Sequence, residues 1–473
     1  MKKKYIIIIS VLISIFFISR DFLITDNFKE MLIESIGKDN YRLITTIVKP
    51  SSILNNLKNQ EKLNSILTQD IDNLSKSMVK GEVEFFKRHD TLIKYNSQFD
   101  LSFNLFKLNT SFPGKSGLSR NSIYIESFKN QLFIVSASGL FYKTQIDDFK
   151  KTKGVLKFID SNISEFIDYD EFYGTSWFGI KDVFIDDAKI YVSYSNQLKK
   201  DCFNTSILVA DLDRDNLVFK TFFEDYDCIE INNEYGEFNG HSAGGRIENF
   251  NDNELLFSVG EYLNRTKAQE DSNYFGKIIS INKINGKVKI ISKGHRNVQG
   301  LKYLKEKKLI VSTEHGPYGG DEINFQTKID SVFNFGWPIS SYGEHYPQRA
   351  GFGNHIKGDE KKLEKIKKGA PLYKSHKNYG FTEPFKYFVP SIGISEIEYF
   401  IKENKYYLLS SSMGDNPEDG DMSIHIIELG NNKTLKVLNF EDRIRDLVGI
   451  GGRKFIISFE GKYGGGIGIL EII

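Results

Sequence analysis

The sequence predicts an all-β protein built from many short strands joined by turns. Aromatic residues make up 14% of the 473 residues, and 39 glycines accompany only 9 prolines. β-Branched and aromatic side chains fit the pleated surface of a sheet, and glycine fits tight turns. After Leu118, short apolar runs alternate with turn residues, and no long helical pattern separates them. These three observations favour β-structure over a helical bundle.

The charge balance excludes one broad class of function. The chain carries 63 basic and 62 acidic side chains, which gives a formal charge of +1. Such a protein has no long-range field that would gather phosphate or membrane anions, so we expect no nucleic-acid partner. The hydrophobic content of 40% suffices for a sizeable core and excludes disorder of the whole chain.

Residues 1–24 have the pattern of an export signal or membrane anchor. Three lysines precede an apolar run from Tyr5 to Ser19, which ends at Arg20. A positive segment followed by an apolar segment is typical of secretory signals. No Ala-x-Ala cleavage pattern follows, so an uncleaved anchor is favoured, although a buried amino-terminal helix or strand remains the alternative. We therefore expect a periplasmic protein tethered to the inner membrane, or one secreted after cleavage.

Residues 25–117 are predicted to form a helical spacer or cap. Leu63, Ile66, Leu67, Ile71 and Leu74 recur at helical spacing among polar residues.

Residues 118–473 are predicted to contain the strands. Runs bounded by turn residues predict strands at Gln131–Ser136, Lys189–Tyr194, Glu254–Val259, Lys277–Ile281, Lys287–Ile291, Lys308–Ser312, Tyr406–Ser411 and Lys454–Phe459. Turn residues separate several pairs, at Asp186-Asp187, Asn251-Asp252-Asn253 and Asn285-Gly286, the last a type I′ hairpin signal. Six blades would take about 59 residues each, against about 40–45 in a minimal four-stranded blade, so a six-bladed β-propeller fits. A sandwich or two β-domains remain open.

The two cysteines flank a predicted hairpin. Cys202 precedes the apolar run Ser206–Leu212, and Cys228 follows the run Leu217–Phe223. Counting outward from the polar turn places the cysteines nearly opposite, which would permit a disulfide in an oxidising compartment. Two cysteines that never meet are the alternative.

One region carries specific motifs. In order, they read His-Ser-Ala-Gly-Gly-Arg-Ile from His241, Ser-Val-Gly-Glu ending at Glu261, Gly-His-Arg-Asn-Val-Gln-Gly-Leu from Gly294, Thr-Glu-His-Gly-Pro-Tyr-Gly-Gly-Asp-Glu-Ile-Asn from Thr313, and Asn-Phe-Gly-Trp-Pro from Asn334. Together they resemble the glucose/sorbosone dehydrogenase family, the soluble aldose sugar dehydrogenases that use pyrroloquinoline quinone (PQQ) on a six-bladed propeller. The resemblance covers roughly Trp177 to the carboxyl terminus.

The resemblance implies a quinone cofactor and a calcium ion. The backbone carbonyls of Gly316 and Pro317 match those that bind calcium in the family, and oxygen ligands suit this hard cation. Further matches to cofactor-binding residues are Arg296, Asn297, Gln299, His315, Phe388, Arg443 and Arg445. Arg443 and Arg445 are two residues apart, so in a strand their side chains leave the same face and suit carboxylates.

The resemblance also assigns the reaction. His241 would be the general base that removes the proton of a sugar hydroxyl while hydride passes to the quinone, and Glu261 would orient it. The fixed charge of Arg296 would stabilise the developing oxyanion. Asp321 and Glu322 would bind sugar hydroxyls or, equally, cap a turn. The implied partners are a sugar substrate and a periplasmic electron acceptor, with the membrane contacted only by the amino-terminal segment.

Three features depart from the family pattern. The arginine follows His241 by five residues rather than four, and Glu261 stands where the family has aspartate. A one-residue bulge and the longer side chain together would restore the reach between carboxylate and imidazole; the alternative is a changed site. The region 411–426, where the family places a cofactor-binding lysine, instead contains Asp415, Glu418, Asp419 and Asp421. These departures support one alternative, a binding propeller that has lost the cofactor. A further alternative, a calcium-dependent lactonase-like hydrolase, predicts converging carboxylate ligands for the metal.

Overall fold

The computed structural model describes residues 82–93, 99–109, 122–167, 179–212, 216–233, 237–346, 360–460 and 466–473. They all belong to one compact unit, Gly81–Ile473. The predicted anchor at 1–24 and the helical pattern at Leu63–Leu74 lie outside the described residues. None of the helices in these ranges is long and apolar enough to cross a membrane.

Strands dominate the described chain. The first eleven are β1 (Val83–Ile93), β2 (Leu101–Leu108), β3 (Ile123–Phe128), β4 (Gln131–Ser136), β5 (Phe141–Gln145), β6 (Lys153–Ile159), β7 (Ile180–Asp186), β8 (Lys189–Lys199), β9 (Cys202–Asp211), β10 (Lys220–Phe223) and β11 (Ile229–Glu230). The next nine are β12 (Gly244–Asn251), β13 (Glu254–Val259), β14 (Lys277–Asn282), β15 (Val288–Lys293), β16 (Val298–Leu304), β17 (Leu309–Glu314), β18 (Asp321–Gln326), β19 (Phe333–Asn334) and β20 (Lys386–Phe388). The last seven are β21 (Ile394–Lys402), β22 (Lys405–Ser412), β23 (Ser423–Glu428), β24 (Thr434–Asn439), β25 (Ile444–Gly449), β26 (Lys454–Phe459) and β27 (Gly466–Ile472).

Helices are few and short. The α-helix α1 spans Glu360–Gly369. Single 3-10 turns occur at Ile146–Lys150, Ile163–Glu165, Arg265–Gln269, Lys305–Lys307, Lys377–Tyr379 and Pro417–Asp419. The predicted all-β class is therefore confirmed for the described residues.

Consecutive strands form antiparallel sheets that succeed one another along the chain. The sheets are β7-β8-β9-β10, β12-β13-β14-β15, β16-β17-β18-β20 and β21-β22-β23-β24, with β11 added at β9 and β19 at β15. The first strands of successive groups, β3, β7, β12, β16, β21 and β25, contact one another in that order, and β25 contacts β3. These innermost strands therefore form a closed ring.

The two ends of the described chain meet in one nine-stranded sheet, in the order β25-β26-β27-β2-β1-β6-β5-β4-β3. Strand β2 pairs with β27, with Leu101 opposite Ile472. The assignment of residues 25–117 to a helical spacer is thus wrong for β1 and β2. Polar residues at 87–90 interrupt the apolar pattern of β1 and obscure it in the sequence.

The core consists of apolar layers between successive sheets. In one such layer, Val135 of β4 packs with Val192 of β8 and Leu208 of β9. Because a sheet between two neighbours is covered on both faces, its strands are apolar throughout rather than alternating. Strand β9 is covered in this way, since nine of its ten residues are buried; the buried residues include the polar side chains of Asn204, Thr205 and Ser206.

The predicted turns at Asp186-Asp187 and Asn285-Gly286 differ in length in the structure. Asp187 and Ala188 both have positive φ, 47° and 56°, and form a two-residue connection between β7 and β8, as a type I′ turn requires. The Asn285-Gly286 hairpin exists, but residues 283–286 form a longer turn. There the Oδ1 atom of Asn282 accepts hydrogen bonds from the backbone N–H groups of Ile284 and Asn285, both at 3.0 Å. The type I′ assignment is therefore wrong, because the Asn282 side chain organises a wider loop.

The structure contains the disulfide that the hairpin permitted. Cys202 and Cys228 are bonded, with their Cα atoms 5.4 Å apart. Cys202 begins β9, and Ile229, next to Cys228, pairs with Phe203. The alternative of two separate cysteines is wrong.

Candidate active site

The candidate site lies where the innermost strands begin. Lys181 is the second residue of β7, His241 precedes β12, Arg296 precedes β16, and Arg445 is the second residue of β25. The charges that act on His241 come from Lys181, Arg445, Glu460 and His315. Side chains up to 279 positions apart in the sequence, from Lys181 to Glu460, therefore surround one end of the ring.

β-Bulges recur at these strand ends. The pairing register shifts between Ile180 and Asp182, Gly244 and Ile247, Val298 and Gly300, Ile394 and Ile397, and Ile444 and Asp446. A bulge bends the strand and redirects a side chain. Lys181, Gln299 and Arg445 lie within the shifted stretches. The shift after Gly244 is also where we predicted a bulge to absorb the additional residue after His241.

His241 is exposed at the surface of this site, and its backbone N–H donates to Asn239 Oδ1 at 2.8 Å. Surrounding protein atoms lower the pKa of the imidazole, and the positive charges of Lys181 and Arg445 lower it further. The ring is therefore neutral near pH 7, which is the form that accepts a proton.

Lys181 is a site residue that the sequence did not reveal. Its Nζ atom donates to the Gly240 carbonyl at 3.2 Å, next to His241. Burial and the charge of Arg445 lower its pKa to about 7. A single lysine near the start of an apolar strand has no distinctive sequence signal. Only its contact with the Gly240 carbonyl places it in the site.

Glu261 is buried but does not bond to His241. Its Oε1 atom accepts from the Leu263 N–H at 3.1 Å, and Oε2 has no hydrogen-bond partner within the described structure. Burial raises its pKa to about 7, against the opposing charges of Arg296 and Arg265. The structure therefore associates Glu261 with Arg296 rather than with His241.

Arg296 contacts His315 and Trp337 within the candidate site. Its Nη1 atom donates to the His315 carbonyl at 3.1 Å, and its guanidinium lies 5.6 Å from the Trp337 ring centroid. Its Nε atom and His315 Nε2 are buried and have no hydrogen-bond partners within the described ranges. Such groups are unusual in protein interiors and are available to a ligand.

Asn297 and Gln299 are engaged with each other. Asn297 Oδ1 accepts from Gln299 Nε2 at 3.1 Å and from the Gly244 N–H at 3.0 Å. Asn297 thus ties the start of β16 to the bulge after His241, which fixes the spacing of these two parts of the site.

Asp321 has a structural role. Its carboxylate accepts from the N–H groups of Gly316, Ile392 and Ile394 and from Ser391 Oγ, at 2.9–3.1 Å. These four bonds occupy the buried carboxylate, so the turn-capping alternative holds and the sugar-binding assignment of Asp321 is corrected. The bonds fix the loop that carries Gly316 and Pro317.

Glu322 is turned inward as well. It is 6% exposed, and its Oε1 atom lies 3.2 Å from His376 Nε2. Glu322 and His376 line a small cavity beside Arg296, His315 and Trp337 that has room for about one water molecule. Glu322 is engaged with His376 inside this cavity, and its sugar-binding assignment stays a prediction.

Arg443 and Arg445 converge on a carboxylate that the sequence did not reveal. Arg443 Nε donates to Glu460 Oε2 at 2.9 Å, and Arg445 pairs with Oε1 of the same residue. Burial would raise the pKa of Glu460, but the charges of Arg445 and Arg443 lower it to about 2. The two guanidinium groups are therefore held as a pair.

The acidic side chains of the region 411–426 do not converge on one metal-binding position. Asp415 Oδ1 lies 3.4 Å from Arg443 Nη1, and Asp419 and Asp421 accept hydrogen bonds from Asn416. No cluster of three or more His, Cys, Asp or Glu side chains suited to a metal occurs among the described residues.

The ring centroids of Phe388 and His425 lie 5.4 Å apart, and Phe388 packs at the edge of the core.

Arg246 forms an ionic hub just below the site. Its Nη1 atom lies 2.9 Å from Asp182, 2.7 Å from Glu396 and 2.9 Å from Asp446. Its Nη2 atom donates to the Arg445 carbonyl at 3.2 Å. These contacts join β7, β12, β21 and β25, so Arg246 fixes the relative positions of the strands that carry the site.

Known proteins resemble both the sequence and the fold. A 131-residue stretch is 34% identical to the uncharacterized protein slr1608 of Synechocystis, covering 23% of this chain and 31% of the relative. A 120-residue stretch is 31% identical to the aldose sugar dehydrogenase YliI of Escherichia coli, covering 23% and 32%. These matches span about a third of the relatives' own length.

Solved structures match over more of the chain. The soluble aldose sugar dehydrogenase of E. coli in its apo form aligns with a TM-score of 0.53 at 20% identity, covering 74% of this chain and 95% of that chain. The PQQ-bound aldose sugar dehydrogenase of Streptomyces coelicolor aligns with a TM-score of 0.51 at 17% identity, covering 79% and 99%. At these identities the likeness shows a shared fold.

The family model described as Glucose / Sorbosone dehydrogenase matches residues 174–448, more than half of the chain. That range includes all the motifs from His241 to Pro338 and the Arg443–Arg445 pair. The chain belongs to the glucose/sorbosone dehydrogenase family.

Proposed function

We propose that the described domain is a six-bladed β-propeller that oxidises an aldose sugar or related alcohol with PQQ. The observation that carries the proposal is the convergence of His241 with Lys181, Arg296, His315 and Arg445 at one end of the closed ring. Family membership and the relative named as an aldose sugar dehydrogenase support the same reaction.

The residues present fit the cofactor. PQQ carries three carboxylates, and Lys181, Arg296, Arg443 and Arg445 supply positive charge around the site, part of which Glu460 neutralises. Lys181 would serve in place of the lysine that the sequence lacks in the region 411–426. Arg296 Nε and His315 Nε2 are buried nitrogen atoms still available for hydrogen bonds within the described structure. When bound, PQQ would supply the electrophilic quinone that accepts hydride.

Calcium remains part of the proposal. The carbonyl oxygens of Gly316 and Pro317 accept no hydrogen bond from any described residue. Asp321 holds this loop through the Gly316 N–H, which leaves the carbonyls available for a hard cation.

Different residues of the chain would accept the proton and stabilise the developing charge. A neutral ring nitrogen of His241 would accept the proton of the sugar hydroxyl. Arg296 would stabilise developing negative charge. Burial raises the pKa of Glu261 to about 7, so this carboxyl is partly neutral near pH 7 and offsets less of the Arg296 charge. Asn297 would hold the His241 loop and the Arg296 loop at a fixed separation.

We propose a periplasmic setting, which the amino-terminal pattern and the disulfide support. An oxidising compartment maintains structural disulfides, so the Cys202–Cys228 bond supports export to the periplasm. There the electrons would pass to a periplasmic acceptor, and residues 1–24 would tether the enzyme to the inner membrane.

Reconstitution tests the proposal. The protein, incubated with PQQ and Ca²⁺, should reduce a dye when given an aldose, and His241→Asn should lower kcat by about 10²- to 10⁴-fold. Arg296→Ala should lower it as well, whereas Lys305→Ala removes a charge from the far end of β16 and should leave it unchanged.

A second candidate is a cofactor-free binding propeller, favoured by the absence of a Glu261–His241 hydrogen bond. Retention of PQQ without dye reduction by any aldose, or failure to bind PQQ, would favour it and contradict the dehydrogenase.

A further inference from the structure

Exposed tyrosines concentrate on one stretch of the surface. Six tyrosines rank among the exposed large hydrophobic residues in the described structure, and five of them lie between positions 318 and 387. They are Tyr318, Tyr346, Tyr373, Tyr379 and Tyr387, with exposed fractions of 40–58%. A concentration of exposed aromatic rings on a soluble protein marks a binding surface.

Stacking holds several of these rings in place. Tyr373 and Tyr379 stack with centroids 4.0 Å apart and planes 4° apart. Tyr387 stacks on Tyr342 at 3.8 Å and 8°. A ring that a neighbour already immobilises loses little conformational entropy when a ligand covers its other face.

Backbone hydrogen bonds bring together the segments that carry these rings, and the Tyr318 and Tyr346 ring centroids lie 6.3 Å apart. We name the set the tyrosine strip: Tyr318, Tyr342, Tyr346, Tyr373, Tyr379 and Tyr387. Tyr318 and Glu344 exchange backbone hydrogen bonds of 2.9 and 2.7 Å, and the Ser341 N–H donates to the Tyr373 carbonyl at 3.0 Å. Gly320 is compact enough to pack against Gly343, where an added Cβ would lie 2.2 Å from the Gly343 nitrogen.

The tyrosine strip adjoins the candidate active site. Gly320 and Ser341, which belong to the same loops, line the small cavity together with Arg296 and His315. Tyr318 follows Pro317 directly. A ligand lying along the tyrosine strip would therefore have one end near the Gly316–Pro317 loop.

The chemistry of the tyrosine strip suits a neutral, hydroxyl-rich ligand. Aromatic faces accommodate the apolar C–H faces of pyranose rings, and phenol groups exchange hydrogen bonds with hydroxyls. Two nearby acids are engaged within the protein: Lys374 Nζ lies 2.9 Å from Glu344, and Tyr342 Oη donates to Glu383 at 2.8 Å.

We infer that the tyrosine strip binds a neutral oligosaccharide chain whose terminal sugar enters the active site. The second half of this inference rests on the proposed function, whereas binding along the strip does not. The substrate class would then be the end of a longer saccharide rather than a free monosaccharide alone.

Binding is tested first, without reference to turnover. Isothermal titration of the full chain with a panel of neutral hexasaccharides, namely α-1,4- and β-1,4-linked glucose, β-1,4-xylose and β-1,4-mannose, should detect at least one ligand. Tyr379→Ala/Tyr387→Ala should weaken that binding about tenfold or more, in the range expected for loss of aromatic anchors. Tyr379→Phe/Tyr387→Phe keeps both rings and should retain most of it.

Tyr226→Ala is the matched control, because Tyr226 is 96% exposed outside the tyrosine strip and its removal should change nothing. Thermal unfolding of each variant verifies the fold. Absence of binding by every hexasaccharide, or equal binding by the double alanine variant and the parent, would overturn the inference.

Turnover then separates this inference from the proposed function. In PQQ-loaded protein, the double alanine variant should lower kcat/KM about tenfold for the bound hexasaccharide and leave glucose oxidation unchanged. Strip-dependent binding without any oxidation would contradict the proposed function and leave the tyrosine strip as a saccharide site. Glucose oxidation without strip-dependent binding would support the proposed function and contradict the inference about the tyrosine strip.

Discussion

At the residue scale, the environment of His241 decides how it would act. Partial removal of water and the charges of Lys181 and Arg445 lower its pKa, so the neutral form persists as the pH falls. We expect kcat/KM to show no acid limb near the ordinary imidazole value of about 6.5. Lys181→Met removes one positive charge and should move the acid limb to higher pH. A pH–rate profile from pH 4 to 8 checks this, and a parent acid limb near pH 6.5 would contradict it.

Glu460 makes a separate prediction for stability. Its pKa is lowered to about 2 in the folded protein, below the ordinary glutamate value, so its stabilising effect is present above that ordinary value. It is lost as the pH falls from about 4.5 through 2. Glu460→Gln should cost about 2–3 kcal/mol at pH 7, because Arg443 and Arg445 keep partial access to water. Denaturant unfolding at pH 7, 4 and 2.5 measures this; a cost that does not shrink toward pH 2.5 would be inconsistent with it.

At the element scale, hairpins and bulges arrange the fold and the site. The Cys202–Cys228 bond closes a loop of 26 residues between the start of β9 and β11. Cross-linking restricts the unfolded chain, so Cys202→Ser/Cys228→Ser should lower the free energy of unfolding by about 2–4 kcal/mol. Urea unfolding of the oxidised parent, the reduced parent and the variant measures the loss. The reduced parent should match the variant, and full stability in both would contradict a structural role.

At the scale of the whole molecule, the nine-stranded sheet that joins the two ends of the described chain depends on β1 and β2. Strand β2 lies between β27 and β1, and β1 joins it to β6. A chain beginning at residue 81 should unfold cooperatively, because it keeps every described strand. A chain beginning at residue 118 should lose that cooperativity, because β27 and β6 become open edges. Circular dichroism during heating distinguishes them, and equal unfolding curves would show that cooperative unfolding does not require these strands.

Much of the fold could be read from local patterns. The predicted strands Gln131–Ser136, Glu254–Val259 and Lys454–Phe459 match β4, β13 and β26 to the residue. Strands covered on both faces leave apolar runs that are visible in the sequence. Strand β1 was missed because the polar residues at 87–90 interrupt its apolar pattern. Although β1 and β2 pair with each other, their outer partners β6 and β27 lie at distant positions, and nothing local marks those pairings.

Local patterns in the sequence establish the all-β class, most strand positions, the motifs and hence the family. Which polar groups meet is established by three-dimensional packing, which engages Asp321 within a loop, separates Glu261 from His241, and brings Lys181 and Glu460 into the site. The two kinds of information differ because they act over different distances along the chain. Strand patterns follow from the two-residue period of the backbone, whereas a side chain's partners depend on bulges and ring closure, which act between residues hundreds of positions apart.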